Sequence, residues 1–358
     1  EVSMQKLILI FFLINLPFSV FSQNENSGIY WIDSDGSAAT LIVTPGGTSI
    51  LADASWDREP YLERILEVIE LAGVTQIDYM IATHFHGDHS GGILPLSKVV
   101  PICEFIDYGD SAYKDLDRGR DNWNNYLAAI DHSKVAADFC GQATGKRTSV
   151  RPGDMLPLSD GSSLTIVASD KLVLPNPLIS TEYNQLCDNA IPGLDPWIGR
   201  DPAHGEDPRS IGYVFSVGDF QFLDTTDISW NGLHNLACPL NLVGKIDLLQ
   251  LPHHGNDVAP QLIHAIEPVA SVSNGGPTKG GSAEGYEVIS SSPGIQGVWQ
   301  LHRSINNDDQ HNTENEKIAN DSELEQHGNW IKAIVSSDGK SFQITNSRNG
   351  HTESYNSR

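Results

Sequence analysis

Positive charge is scarce in this sequence of 358 residues, where 22 Lys and Arg stand against 46 Asp and Glu. The formal net charge is −24, and no stretch of the sequence forms a basic stripe. Binding of nucleic acid through a general positive surface field is therefore excluded. Bound metal ions would still supply positive charge at a single site, so nucleic acid is expected only as a substrate there.

Long apolar runs are also rare, and the one from Leu7 to Val20 is too short for a comfortable membrane span. A short charged start, Met4-Gln5-Lys6, precedes it, and Ser22 follows as a small residue before Gln23. This order predicts a secretory signal peptide over residues 1–22, cleaved near Ser22, with an uncleaved anchor as the alternative. The mature chain is then expected to be secreted or periplasmic, without stable membrane association. Its oligomeric state has no signal in the sequence.

Cysteine is sparse and never forms a CxxC pair, which argues against a thiolate zinc knuckle. An even number of cysteines in an oxidising compartment favours two disulfides, with three connectivities open. Cys103–Cys140 and Cys187–Cys238 would close the shorter loops and are the preferred pairs, with free buried thiols as the alternative.

Repeats and low-complexity tracts are absent, so residues 23–358 are expected to form a single domain. Two groups of apolar, β-rich segments are each accompanied by segments with helical spacing. This pattern predicts an α/β (α+β) fold in which two mixed sheets pack face to face with helices outside. Long loops or an insertion are expected at about 104–205, and a hairpin at about 330–346 around Asp338-Gly339.

The strongest chemical signal is the segment Thr83–His89, which directly follows a strand-like apolar run. His84 and His86 alternate along an extended backbone, so both point to one side. Neutral imidazole and carboxylate are preferred ligands of Zn²⁺ and similar first-row ions. The segment therefore predicts a site for two divalent metal ions, Zn²⁺ in the first place and Mn²⁺ as the alternative. The candidate ligands in it are His84, His86, Asp88 and His89.

Thr-His-Phe-His-Gly-Asp-His resembles the HxHxDH motif of the metallo-β-lactamase superfamily. The resemblance implies a four-layer αββα sandwich with a dinuclear metal site at the edge of the sheets. It also implies that His84 and His86 bind the first metal ion, and that Asp88 and His89 bind the second. Members of the superfamily mostly hydrolyse esters, amides, lactones or phosphodiesters.

Other segments resemble the rest of the family pattern in the same order along the chain. Asp53 is implied as the residue that orients the site from behind its ligands. Asp227 is implied as the aspartate that bridges the two metals, with Asp224 as the alternative. His254 is implied as a ligand of the second metal. His253 is implied as a hydrogen-bond donor to a developing oxyanion, or as the partner in a structural hydrogen bond.

The middle ligand departs from the family pattern. Many members carry a histidine four residues before the Ser that opens the strand leading to the bridge, and here that position is Glu206. His204 lies two residues further out, so Glu206 and His204 are candidate additional ligands, or neither reaches the metal. This departure, together with His253-His254-Gly255, resembles one subgroup. It comprises the nuclease-like domain of ComEC-type competence channels and choline-phosphate esterases acting on cell-wall polymers.

The hypothesis from these residues is a secreted metal-dependent hydrolase. Two cations would lower the pKa of a bridging water, and Asp88 would orient the resulting hydroxide and accept its proton. The subgroup resemblance favours a phosphodiester or phosphate ester, in a small molecule or a cell-wall or other extracellular polymer. A lactonase or carboxylesterase on the same site is the first alternative, which the acidic surface favours. A non-catalytic secreted binding protein with a degenerate metal site is the second.

Two further residues could reach the site. Lys279, in the Gly-rich segment Asn274–Gly281, could bind an anionic substrate or could lie in an ordinary loop at the sheet edge. That segment lacks the GxxxxGK[ST] spacing of a phosphate-binding loop. His302 could line the cleft or could be a satisfied structural histidine.

Overall fold

The computed structural model describes residues 26–117, 119–134, 140, 145–179, 183–188, 205–321 and 328–358. The predicted signal peptide, residues 1–22, lies outside these residues. Within the described part of the chain, no helix is both long enough and apolar enough to cross a bilayer.

The first sheet combines strands from both ends of the described chain, in the spatial order β18-β17-β16-β1-β2-β3-β4-β5-β6. β3 to β6 pair in parallel, and the other neighbours pair antiparallel. The two strands around Asp338-Gly339, β16 and β17, are followed by a third, β18. The strands of this sheet are β1 (Ser27–Trp31), β2 (Thr40–Val43), β3 (Ser49–Ala52), β4 (Ile77–Ile81), β5 (Ile102–Asp107), β6 (Lys146–Ser149), β16 (Ile331–Val335), β17 (Ser341–Asn346) and β18 (Thr352–Asn356).

The second sheet is built from the middle of the chain, in the order β15-β14-β13-β12-β11-β10-β8-β7, with β9 paired to β8. β11 to β15 pair in parallel, and β7 to β11 pair antiparallel. Its strands are β7 (Met155–Leu156), β8 (Ser162–Ser169), β9 (Leu172–Val173), β10 (Gly212–Val217), β11 (Phe220–Asp224), β12 (Leu248–Gln250), β13 (Ala270–Ser273), β14 (Gly297–His302) and β15 (Ile318–Asn320).

Alternation along the strands of the second sheet separates its two faces. Phe222 and Leu248 lie in one core cluster with the first sheet, whereas Leu223 and Leu249 lie in a second cluster with helices α5 and α6. Successive side chains of a strand point to opposite faces, so the sheet is covered by the other sheet on one side and by helices on the other. The helices are α1 (Tyr61–Leu71), α2 (Gly87–Ser90), α3 (Ile93–Ser97), α4 (Arg120–Ser133), α5 (Trp230–Ala237), α6 (Pro260–Ile266) and α7 (Ala283–Ser290).

Helices α1, α3 and α4 contribute buried side chains to the cluster that contains the first sheet, among them Ile65, Ile93 and Tyr126. The predicted αββα arrangement of two mixed, face-to-face sheets is therefore confirmed. Polar contacts also join the two sheets, because Gln250 Oε1 accepts hydrogen bonds from Trp31 Nε1 at 2.8 Å and Thr40 Oγ1 at 2.9 Å.

Two disulfides are present, Cys103–Cys140 and Cys187–Cys238, which confirms the preferred pairing. Disulfides form and persist mainly in oxidising compartments. They therefore support a location outside the reducing interior of the cell.

Candidate metal centre

The candidate ligands meet at one edge of the sandwich because they follow the carboxyl ends of parallel strands. β3 and β4 are parallel neighbours in the first sheet, and β11 and β12 are parallel neighbours in the second. Side chains placed after such strand ends converge on the same crevice. The residues delivered there are Asp53, His84, His86, Asp88, His89, Asp227, His253 and His254.

A first group of side chains that could hold a metal ion consists of His84, His86 and Asp207. His84 Nε2 lies 3.0 Å from His86 Nδ1, and Asp207 Oδ1 lies 2.9 Å from His86 Nδ1 and 3.6 Å from His84 Nε2. Burial, with the neighbouring His89 and His86, holds the pKa of His84 well below its usual value. His84 is therefore a neutral imidazole, the form that binds metal ions.

A second group consists of Asp88, His89, Asp227 and His254. Asp227 Oδ2 lies 3.2 Å from His89 Nε2 and 3.3 Å from His254 Nε2, and Asp88 Oδ2 lies 3.7 Å from each of these nitrogens. Burial opposes ionisation of Asp227, but the surrounding imidazoles outweigh it and hold its pKa well below the usual range.

The donor set of the second group fits a divalent metal ion. Among the described residues, the buried His89 Nε2 makes no hydrogen bond of acceptable geometry, although Asp227 Oδ2 lies 3.2 Å from it. An unpartnered buried nitrogen is costly unless a ligand meets it. Two imidazoles and two carboxylates in a buried cluster match the N and O ligands that Zn²⁺ takes in proteins.

Asp53 lies behind the ligands, at the position predicted for it. Asp53 Oδ2 is 2.7 Å from His89 Nδ1 and accepts a hydrogen bond from Thr83 Oγ1 at 2.7 Å, while Asp53 Oδ1 accepts one from Thr83 N at 2.9 Å. A proton on His89 Nδ1 that is donated to Asp53 leaves the lone pair of Nε2 facing the second group. Such an outer carboxylate fixes both the tautomer and the ring orientation of a ligand histidine.

The two aspartates considered for the bridging role occupy different places. Asp227 touches the imidazoles of the second group, and it also lies 3.5 Å from His253 Nε2. Asp224 instead accepts hydrogen bonds from Tyr213 Oη at 3.0 Å and Thr226 N at 2.7 Å. The Asp224 carboxylate is thus occupied by hydrogen bonds to Tyr213 and to the loop after β11, whereas the Asp227 carboxylate faces the candidate ligands.

His253 and His254 both have a left-handed backbone, with φ of 48° and 57°, and their side chains meet different partners. His254 joins the second group. His253 Nδ1 lies 2.5 Å from Asp257 Oδ2, and its ring remains partly exposed to the cleft. Burial lowers the pKa of His253, but Asp227 and Asp257 outweigh this effect and raise it to about 9. Non-glycine residues with positive φ often occur at functional sites.

The carboxylate near the first group belongs to Asp207, and Glu206 is directed elsewhere. Glu206 Oε2 accepts hydrogen bonds from Phe85 N at 3.0 Å and Tyr108 Oη at 2.5 Å, and its Oε1 accepts from Ser111 and Ala112. With both oxygens engaged, Glu206 supports the backbone between His84 and His86. Of the two residues left open as additional ligands, Glu206 therefore does not face the first group, whereas its neighbour Asp207, which the sequence pattern did not single out, does. His204 lies outside the described residues.

Lys279 does reach the site, where its Nζ contacts Asp88 Oδ2 and lies 3.3 Å from His254 Nε2. His302, in contrast, lies 2.5 Å from Asp33 Oδ1, and Arg64 pairs with the other oxygen of Asp33 at 3.0 Å. This carboxylate already has two basic partners, so His302 is best described as a structural histidine.

Gly87, in the Thr83–His89 motif, and Gly92, just after it, lie close to the loop that follows β3. A Cβ added to Gly92 would lie 2.0 Å from Ala54 O, whereas one added to Gly87 would meet the Trp56 ring at 3.3 Å.

We expect Gly92→Ala to lower the free energy of unfolding by about 1–3 kcal/mol and to weaken Zn²⁺ binding, because the segment holding Asp88 must shift. Thermal unfolding and metal titration would measure both effects. Gly87→Ala is the matched control, and equal losses in both variants would contradict this explanation.

Comparisons with known proteins found one matching family model and partial matches to several proteins. Residues 32–148 match the family model described as the metallo-beta-lactamase superfamily. An atrochrysone carboxyl ACP thioesterase from Pseudocercospora fijiensis (strain CIRAD86) is 37% identical over 91 residues, 25% of this chain and 26% of that protein. A lactamase-like protein from Pestalotiopsis microspora is 29% identical over 76 residues, 21% of this chain and 23% of that protein. The matches thus span about a quarter of the length of each relative.

Among solved structures, the metallo-beta-lactamase fold protein YhfI from Bacillus subtilis is similar, with a TM-score of 0.41 and 11% identity. The similarity covers 76% of this chain and 96% of that one.

Proposed function

We propose that this chain, whose residues 32–148 match the model of the metallo-β-lactamase superfamily, is a member of that superfamily and a metal-dependent hydrolase. The observation that carries the proposal is the pair of adjacent ligand groups in one crevice. The rings of His84, in the first group, and His89, in the second, have centroids 4.0 Å apart. Two groups this close allow two cations to act on one substrate molecule.

Each residue of the site has a separate role in the proposed hydrolysis. Divalent ions, when bound, bring the pKa of water toward neutrality and polarise a substrate oxygen. Asp88, a member of the second group, would orient the attacking water and accept its proton. His253, fixed through Nδ1 by Asp257, presents Nε2 as a hydrogen-bond donor for the negative charge that develops on the substrate. Asp53 holds His89 in the tautomer that this arrangement needs.

A carboxyl-centred ester or thioester is the substrate class we place first. The relative from Pseudocercospora fijiensis is named as a thioesterase, and its match is 37% identical. The crevice also gathers the carboxylates of Asp88, Asp207, Asp227 and Asp257, which repel an anionic substrate unless cations neutralise them. This order reverses the one that the sequence alone favours.

A phosphodiester or phosphate ester is the second candidate. Lys279 favours it, because an ammonium group beside the ligands could bind a phosphoryl oxygen. The ComEC-type and choline-phosphate esterase subgroup is part of this second candidate, as is a nucleic-acid or cell-wall substrate. Secretion or a periplasmic location, with cleavage near Ser22, is proposed for either substrate class.

The test combines metal content with a substrate panel. We expect the purified protein to hold up to two equivalents of Zn²⁺ or Mn²⁺ per chain, measured by elemental analysis. It should hydrolyse a simple acyl thioester or lactone faster than bis-p-nitrophenyl phosphate, and a chelator should abolish turnover. His86→Ala should lose metal and turnover, while His132→Ala, an exposed histidine at the end of α4, should retain both.

Two results would change the proposal. Faster hydrolysis of the phosphodiester would restore the order that the sequence favours. A folded protein that takes up neither Zn²⁺ nor Mn²⁺ would reject the enzyme and support a non-catalytic binding protein with a degenerate site.

A further inference from the structure

The Gly-rich segment Asn274–Gly281 positions Lys279. It is hydrogen-bonded to the loop that carries His253 and His254, which we call the ligand loop. Gly281 N donates to His254 O at 2.7 Å, and Gly276 N donates to Lys279 O at 2.7 Å. On the other side, Ile305 N donates to Pro277 O at 2.9 Å. The backbone that carries Lys279 is therefore fixed relative to the second group of ligands.

Close backbone contacts explain the glycines of this segment. A Cβ on Gly280, which has a φ of +79°, would lie 2.4 Å from His254 O. A Cβ on Gly276 would lie 2.4 Å from Asp35 O, in the loop after β1. The segment is thus pressed between the ligand loop and the loop after β1, which leaves the base of the Lys279 side chain little room to shift.

The ammonium group of Lys279 touches two of the four ligands in the second group. Its Nζ contacts Asp88 Oδ2, the same oxygen that faces His89 and His254. It also lies 3.3 Å from His254 Nε2 and 5.6 Å from the centre of the Trp56 ring. The side chain is 38% exposed, so it has a route toward solvent.

We propose that Lys279 is an internal counter-ion that competes with a divalent cation for Asp88. The proposal rests on the proposed metal site and deepens it. A cation bound to Asp88 Oδ2 carries charge of the same sign as the ammonium group and needs the same lone pairs. Lys279 must therefore leave that oxygen when the cation binds, and its ammonium group is then available to an anionic part of the substrate.

Two measurable consequences follow from this competition. Without the ammonium group, the second cation no longer has to displace a charged partner from Asp88, so it should bind more tightly. In metal-free protein, however, Asp88 would lose its counter-ion in a buried cluster that also holds Asp227, so stability should fall. Affinity and metal-free stability are thus expected to change in opposite directions.

The experiment is a Zn²⁺ titration of the full chain and of Lys279→Met, with thermal unfolding of each in chelator and in saturating Zn²⁺. We expect the dissociation constant of the weaker Zn²⁺ equivalent to fall about tenfold in Lys279→Met, the size of one hydrogen bond to a charged group. The unfolding temperature should fall in chelator and recover in Zn²⁺. Lys279→Arg, which keeps the charge, should behave like the unaltered protein.

Lys340→Met is the matched control, because Lys340 is exposed and pairs only loosely with Asp338 at 3.7 Å. Should Lys279→Met fail to fold, Lys279→Gln supplies the same loss of charge. Unchanged or weaker Zn²⁺ binding in these variants would overturn the role of Lys279 while leaving the metal site intact. Absence of Zn²⁺ binding in the unaltered protein would overturn the proposed function as well, and none of these readouts depends on turnover.

Discussion

Asp227→Asn is expected to lower hydrolytic turnover by about a thousand-fold and to remove at least one equivalent of bound metal. Asp227 Oδ2 lies between His89 Nε2 at 3.2 Å and His254 Nε2 at 3.3 Å, at the centre of the second group. An amide in this place is uncharged and is a much weaker ligand. Loss of the charge stabilisation that a bound metal supplies, several kcal/mol, corresponds to about three factors of ten in rate.

Asp224→Asn is the matched control for this prediction, because both carboxylates are buried and lie at or just after the end of the same strand, β11. Asp224 is bonded to Tyr213 and Thr226 and is not part of either ligand group. We expect Asp224→Asn to keep its metal content, measured by elemental analysis, and most of its turnover. The reverse pattern, with metal lost from Asp224→Asn alone, would assign the bridging role to Asp224.

The second ligand group could be predicted because short, local patterns carry it. Asp88 and His89 follow β4, and Asp227 and His254 follow β11 and β12. Each apolar run could be recognised as a strand, and parallel strands bring their carboxyl ends to one edge. The two layers of sheet were predictable for a similar reason, since β1 to β6 and β7 to β15 each follow one another along the chain, and only β16 to β18 return to the first sheet from the far end of the sequence.

Contacts that depend on the conformation of a single turn could not be predicted in this way. A 3₁₀ turn over Asp207–Arg209 directs Glu206 toward Tyr108 and Asp207 toward His86. Both residues are carboxylates, so residue type alone cannot choose between them. The pair formed by Lys279 and Asp88 joins residues 191 positions apart, and loop packing rather than any local pattern creates it.

The pair of variants Asp207→Asn and Glu206→Gln separates these two carboxylates by their effects. Asp207 is 26% exposed at the crevice, and its oxygen meets His86 at 2.9 Å. Asp207→Asn is therefore expected to weaken Zn²⁺ binding at the first group by more than about a hundredfold. This loss is larger than the roughly ten- to hundredfold loss of metal affinity that follows when a residue that only orients a ligand is replaced. Its unfolding temperature without metal should change little. A Zn²⁺ titration with thermal unfolding in chelator measures both.

Glu206→Gln should show the opposite pattern, because the buried Glu206 carboxylate accepts hydrogen bonds from Phe85, Tyr108, Ser111 and Ala112. An amide can accept through only one of its two ends, which leaves buried donors unmatched at the other. We expect the free energy of unfolding to fall by about 2–3 kcal/mol, with the number of bound Zn²⁺ ions unchanged. If Glu206→Gln instead lost a metal ion while Asp207→Asn kept it, Glu206 would be the ligand, and the turn at Asp207–Arg209 would adopt a different conformation when metal is bound.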